Sequence, residues 1–165
     1  MNSITLRNAA PSDEPFFMDL YRNTREHEMH ATGWNEEQRQ QFIAFQYHAR
    51  KHHYSEFYKG AIDEVILDTG QPIGRLMIHR SDKDILVMLI ELLHNYRGQG
   101  IGTMLMKKIM DDADLPVKLH VERHGGPIHF YEKLGFERTG ELDLHYEMMW
   151  YPEGTKPEPV ETGTE

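Results

Sequence analysis

The chain has 165 residues, 39% of them hydrophobic, which suits one domain with a substantial core and leaves no room for a second of ordinary size. A net charge of −9 argues against a nucleic-acid or anionic-membrane surface, and the lack of cysteine excludes disulfides, thiolate metal sites and a cysteine nucleophile. The longest apolar stretch, Ile85 to Leu93, is broken by Glu91 and far too short to span a bilayer; no early segment joins a basic start to a long apolar run, so a cytoplasmic protein is expected.

Residues 3–7 alternate like a first strand. Pro11-Ser12-Asp13-Glu14-Pro15 then offers capping residues and a first-turn proline before Phe16, Phe17, Leu20 and Tyr21 recur at helical spacing. A loop at Thr32-Gly33-Trp34-Asn35 precedes a second predicted helix over 36–50, with Phe42, Phe45 and Ala49 on its inner face. Residues 61–67 and 72–79 flank Asp68-Thr69-Gly70-Gln71 as a hairpin, and a polar turn at 80–84 leads into the strand 85–93, completing an antiparallel meander. A third helix from Ile101 buries Ile101, Met104, Leu105 and Ile109 and ends before Pro116; residues 117–121 form the next strand, which the crossover makes parallel to 85–93. Residues 127–134 form a short helix broken by Gly135, and 136–140 with 145–150 close the sheet. The order is β-α-α-β-β-β-α-β-α-β-β. The expected domain runs from 1 to 150. From Tyr151 to Glu165, four glutamates, one lysine and three prolines mark a disordered acidic tail.

The most informative segment is Arg97-Gly98-Gln99-Gly100-Ile101-Gly102, set between an apolar strand and a helix start. There, backbone N–H groups left without helical partners and the positive end of the helix dipole can hold phosphate oxygens. The glycine spacing is neither G-x-G-x-x-G nor G-x-x-x-x-G-K-[ST], because Lys107 and Lys108 sit a turn too late for a phosphate-loop lysine. A phosphorylated cofactor held outside those two motifs is the expectation.

The pattern Arg-x-x-Gly-x-Gly after an apolar strand resembles the pyrophosphate loop of the GNAT N-acetyltransferase superfamily. Phe130-Tyr131-Glu132-Lys133-Leu134-Gly135-Phe136 resembles that family's F-Y-E-K-L-G-F segment, about thirty residues downstream. The resemblance is strong from 86 to 136 and only architectural before 61. It implies an α/β (α+β) fold: a mixed, mostly antiparallel central sheet of about seven strands, with a splayed parallel pair at strands 4 and 5 and about four flanking helices.

It also implies acetyl-CoA as acyl donor, with main chain at Leu92 and Leu93 pairing with the pantetheine arm. The backbone of Arg97, Gly98, Gln99, Gly100, Ile101, Gly102 and Thr103 would wrap the pyrophosphate. Tyr131 matches the position whose phenol lies beside the coenzyme sulfur, where it reprotonates the departing thiolate; the alternative is a residue that simply packs on Phe130. The reaction implied is direct transfer of an acetyl group to a primary amine of a small molecule or peptide, with no metal. Two alternatives stand beside it, transfer of another acyl group from CoA and a non-catalytic CoA-binding or regulatory module. Where many relatives carry an asparagine before the tyrosine helix, this chain has Arg123-His124-Gly125-Gly126-Pro127, so that contact is not carried over.

Glu91 interrupts an apolar strand, where a charge is costly unless paired, hydrated or functional, and it is the leading candidate for the base. The other reading is a glutamate that reaches water. His120 and Glu122 share a strand face as further candidates. His27/His30 and His48/His52 have spacings that can share a metal, yet neither pair has a third ligand in view, and solvated helix faces are the preferred reading. His27, His30, Trp34, His48, His53, Tyr54 and Phe57 are candidates to line an acceptor cleft, with ordinary packing as the alternative. Exposed sheet edges near the carboxyl end are compatible with a homodimer.

Overall fold

The computed structural model describes residues 3–124 and 126–159. Strand β1 (Ile4–Asn8) leads through a 3-10 turn at Pro11–Asp13 into α1 (Glu14–His30) and then α2 (Glu36–Phe57). The meander is β2 (Ile62–Asp68), β3 (Gln71–Arg80) and β4 (Ile85–Leu92); α3 (Ile101–Asp112), β5 (Val117–Glu122), α4 (Ile128–Lys133), β6 (Glu137–Leu142) and β7 (His145–Trp150) follow. Seven strands form one sheet in the order β1-β2-β3-β4-β5-β7-β6, with β4 and β5 parallel at Ile85↔Val117 and Leu86↔Lys118. This is the mixed α/β architecture expected.

By its internal contacts the chain divides into two compact units, Met1–His79 with Val87–Leu105 and Arg80–Leu86 with Met106–Glu165. In the first, α1 and α2 place Phe17, Tyr21, Met29, Ile43 and Tyr47 in a cluster with Val65 of β2. Burying each such side chain contributes about 1.5–3 kcal/mol, and the cluster holds two helices to one strand. In the second, Val117, Leu119 and Val121 alternate inward along β5, whose antiparallel pairing with β7 runs from Val117↔Trp150 to Glu122↔His145.

Two predicted helix faces are corrected. On α2 Phe42 packs half-buried on the core as expected and the fully buried residues are Ile43 and Tyr47, while Phe45 is 72% exposed and Ala49 faces solvent. The helix also runs seven residues beyond Arg50, since no glycine occurs before Gly60 and Tyr54 continues the inner face one turn at a time. On α3, Met106 and Met110 are buried with Ile101 and Leu105, whereas Met104 is 47% exposed. Both stripes are rotated from the expected ones because aromatic and methionine side chains made several faces look equally apolar.

Helix starts follow local chemistry. Asn35 accepts a bond from the Gln38 N–H at 2.8 Å and its own N–H donates to Gln38 Oε1 at 3.1 Å, a reciprocal cap. Before α1, Asp13 takes a forked pair of bonds from Arg7, each 2.8 Å, and one from the Ala10 N–H at 2.7 Å. Of the C-terminal stretch, Lys156 pairs with Glu137 at 2.7 Å, and residues 160–165 lie outside the described residues. Among the described residues no helix is long and apolar enough to cross a membrane.

Candidate active site

In the first unit, β4 ends beside a short 3-10 turn at His94–Tyr96, and the chain then bends through Gly98 (φ +72°) and Gly100 (φ +81°) into α3. Both glycines sit in the left-handed region that other residues rarely adopt, and a Cβ at either would point into open space. The constraint is therefore backbone shape, with free volume in front of the turn. Met104 N–H donates to the Gly100 carbonyl at 3.0 Å, the first bond of α3. The amides of Ile101, Gly102 and Thr103 thus belong to the first helical turn, which has no preceding carbonyls to satisfy it. An anion of the size of a diphosphate fits this donor set.

The strand end is more committed than the sequence suggests. Leu93 N–H donates to the Ile73 carbonyl at 2.9 Å, so that donor serves β3. Leu92 offers the other edge of the strand, and its carbonyl accepts from Arg97 Nε at 3.1 Å. Arg97 N–H meanwhile donates to His94 at 3.2 Å, and Gln99 Nε2 reaches the Asn95 carbonyl at 2.9 Å. The loop is braced by its own side chains on one side.

Glu91 lies one residue before this edge. Its Oε1 accepts from Arg50 of α2 at 2.7 Å, and both side chains are largely buried, 13% and 20% exposed. The Arg50 guanidinium also lies over the Tyr21 ring, 4.5 Å from its centroid. Thr24 of α1 is 3.4 Å from Glu91 Oε2, but its single hydroxyl proton points to the Tyr21 carbonyl at 2.8 Å, leaving Oε2 the less engaged oxygen. On β3, a Cβ at Gly74 would collide with the Glu91 carbonyl oxygen, so this glycine lets the strand approach closely. Sequence reasoning missed Arg50. The available signal was a cation on the inner face of α2, three residues from Tyr47 and four from Tyr54, matched by a lone carboxylate in an apolar strand; each charge needs the other.

In the second unit, Tyr131 of α4 is 9% exposed and packs edge-on to Phe130 and Phe136, with centroids 5.1 and 5.8 Å apart. Burial pushes its phenol pKa above the ordinary value, so the hydroxyl keeps its proton across the neutral range. The F-Y-E-K-L-G-F segment folds on that ring: the N–H groups of Leu134 and Phe136 both donate to the Tyr131 carbonyl at 3.1 Å. His120 and Glu122 lie on the exposed face of β5, and partial loss of hydration followed by the charge of Lys118 lowers the His120 pKa. A Cβ at Gly126 would meet the Glu122 carbonyl at 2.6 Å; Gly125 lies outside the described residues.

The expected imidazole and aromatic cleft separates into three places. His27 and His30 line a 290 Å³ pocket with Asn23, Glu26, His94 and Asn95, and His27 meets the His94 ring at 5.8 Å. Trp34 packs against Phe42 at 5.1 Å. His53, Tyr54 and Phe57 gather at the far end of α2. The length of α2 separates the last group from Trp34. Among the described residues, no group of three or more His, Asp or Glu could hold a metal ion.

An acetyltransferase (GNAT) domain model matches residues 47–138, more than half of the chain. The chain belongs to the GNAT acetyltransferase family. It is 31% identical over 75 residues to a probable N-acetyltransferase, san, of Drosophila melanogaster, and the match covers 42% of this chain and 41% of that relative. Its fold is similar to that of the PaiA N-acetyltransferase from Thermoplasma acidophilum in complex with coenzyme A (TM-score 0.69, 20% identity, 90% of this chain and 99% of that one). It is also similar to an Arabidopsis thaliana protein in complex with the bisubstrate analogue CoA-Ac-MVNAL (TM-score 0.58, 19% identity, 90% and 98% covered). The matched GNAT region spans the end of α2, with Arg50, as well as the glycine turn and Tyr131.

Proposed function

We propose that this GNAT protein moves an acetyl group from acetyl-CoA to a primary amine of a small molecule or peptide, by direct attack within a ternary complex. The observation that carries the reading is the left-handed turn at Gly98 and Gly100, which leads straight into the first turn of α3, where the amides have no preceding helical carbonyls. Main chain from Arg97 to Thr103 holds the pyrophosphate. Leu92 supplies the strand edge for the pantetheine arm, and Leu93 contributes its position in the strand, since its N–H is spent on β3. Coenzyme A in complex with the Thermoplasma relative, and the CoA-peptide analogue with the Arabidopsis one, support both the donor and an amine acceptor.

In the reaction, the amine nitrogen bonds to the thioester carbonyl carbon and the carbon–sulfur bond breaks. Glu91 Oε2 takes the proton that the amine loses, directly or through water, while Oε1 stays fixed by Arg50. The Tyr131 hydroxyl, kept protonated by burial, gives its proton to the departing sulfur. The protein works in the cytoplasm on this reading. It forms a homodimer through the edge strand β6 and the turn after it, where Leu142 and Leu144 stand exposed, and light scattering decides that point.

The test is a panel of amines with acetyl-CoA, read by thiol release and by product mass. One acetyl added to a single amine class is the expected result. Tight acetyl-CoA binding with no thiol released from any amine would replace the enzyme reading by a binding module.

A further inference from the structure

Beneath the C-terminal half of α2, within the first unit, a cavity of 430 Å³ opens against β2 and β3. It is distinct from the glycine turn, none of whose residues lines it. Three phenol rings form its walls, Tyr47, Tyr54 and Tyr58, with Met77 beside them. Four cations also line it, Arg50, Lys51, Lys59 and Arg75, against one carboxylate, Asp63. Asp63, Glu91 and Glu14 pair with Arg75, Arg50 and Lys51, so the lining keeps one cation in excess, Lys59, on a chain whose net charge is −9.

The polar groups are not exhausted by their internal bonds. Arg75 gives Nε and one terminal nitrogen to Asp63, at 2.9 and 2.8 Å, and Arg50 gives one terminal nitrogen to Glu91; a guanidinium carries five N–H donors, so both retain some. Lys51 reaches Glu14 at 3.0 Å, and among the described residues Lys59 has no ion-pair partner. The decisive group is Tyr47. The residue is 1% exposed, and its hydroxyl makes no hydrogen bond within 3.5 Å among the described residues, the Glu14 carboxylate lying beyond that reach yet near enough to act on it as a weak acceptor. Burial and the nearby Glu14 carboxylate push its phenol up to about 12, so it stays a donor. A buried donor without a full hydrogen bond costs free energy, which a ligand oxygen accepting from it would recover.

We propose that this cavity binds a small planar organic carboxylate, its ring against the tyrosine walls and its oxygens on the Tyr47 hydroxyl and the arginine donors. The volume falls in the range of small-molecule sites, and a guanidinium fork matches a carboxylate in shape and charge. The same lining disfavours a protonated amine, which separates this cavity from the acceptor site of the transfer reaction. The proposal does not depend on that reaction.

Benzoate is the probe, titrated calorimetrically into the full chain, with benzamide and benzylamine as neutral and cationic analogues of the same ring. The expected result is saturable one-to-one binding of benzoate, with both analogues at least tenfold weaker. Tyr47→Phe keeps the ring and removes the donor, and benzoate affinity should fall about fivefold. Ser55→Trp, at an exposed helix position on the cavity rim, should abolish binding while leaving the circular dichroism spectrum unchanged. Saturating coenzyme A should leave benzoate binding intact. The proposal is overturned if benzoate gives no saturable heat, if benzylamine binds as well, if both variants bind like the parent, or if coenzyme A displaces benzoate and so locates it at the glycine turn.

Discussion

Two candidate groups, Glu91 and Tyr131, are held by opposite means. In the unit that carries the end of β4, charge is kept and paired: Glu91 with Arg50 at 2.7 Å, Asp63 with Arg75 at 2.8 Å, Asp13 with Arg7 at 2.8 Å. In the unit that carries α4, Tyr131 is kept neutral by apolar surroundings, with burial as the cause of its raised pKa. A paired charge is vulnerable to loss of its partner, whereas a neutral buried phenol is vulnerable only to loss of its own proton donor. The two regions should therefore fail differently, one in stability and the other in turnover.

The largest expected effect tests the second half of that contrast. Tyr131→Phe preserves the ring contacts with Phe130 and Phe136 and removes only the hydroxyl. Turnover in a thiol-release assay should drop by about 10²-fold or more, with acetyl-CoA affinity and melting temperature nearly unchanged. An unaltered rate would remove Tyr131 from the acid role and leave it as a packing residue. Next in size is the glycine turn, where function lies in main chain. Gly100→Val places a β-branched residue at φ +81°, a strain of about 1–3 kcal/mol that the turn can shed only by changing shape. The calorimetric Kd for acetyl-CoA should rise about tenfold or more; an unchanged Kd would mean that the amides beyond Gly100 do not hold the phosphates.

These two segments were also the most legible in the sequence, because each depends on local rules. Glycines at 98 and 100 permit the left-handed backbone that this turn adopts, and the Phe130 to Phe136 run brings its own ring contacts. The meander and the crossover to β5 were readable from apolar runs and turn residues for the same reason. What stayed hidden was long-range. Arg50 and Glu91 are 41 residues apart, and nothing near either one says that they meet. The inner faces of α2 and α3 were misjudged since Phe45 and Met104 satisfy the same spacing as the residues that are buried. The use of the Leu93 N–H by Ile73 depends on strand register, which composition does not reveal.

The hidden pair yields the next prediction. Glu91→Leu leaves the Arg50 guanidinium largely buried without its counter-ion, and urea denaturation should show a loss of about 3 kcal/mol. Adding Arg50→Met should restore most of it, since replacing both charges removes the unmet desolvation cost. A double variant no more stable than Glu91→Leu alone would show that the cost comes from elsewhere, the lost stacking of Arg50 on Tyr21 being the alternative. Turnover of the double variant separates stability from chemistry: it should remain low, because the base is gone.

The smallest effects distinguish the two units by pH. Asp13 is held at about 2, from an ordinary 3.8, first by its bond from Arg7 and then by the Ala10 N–H. A carboxyl whose folded pKa is depressed stabilises fully above its unfolded value and loses that contribution as pH falls from about 4 to about 2. His120 is lowered from 6.5 by lost hydration and by Lys118, so the unfolded chain takes up this proton first, and stability declines as pH drops just below 6.5 until the folded imidazole also titrates. Both groups weaken the protein on the acid side, in separate windows and in different units. Urea midpoints measured from pH 7 to 2 should show two shallow declines, with His120→Gln flattening the upper one and Asp13→Asn the lower. If either variant flattened both windows, the units would not be titrating independently, and the contrast between paired and buried groups would give way to a single coupled network.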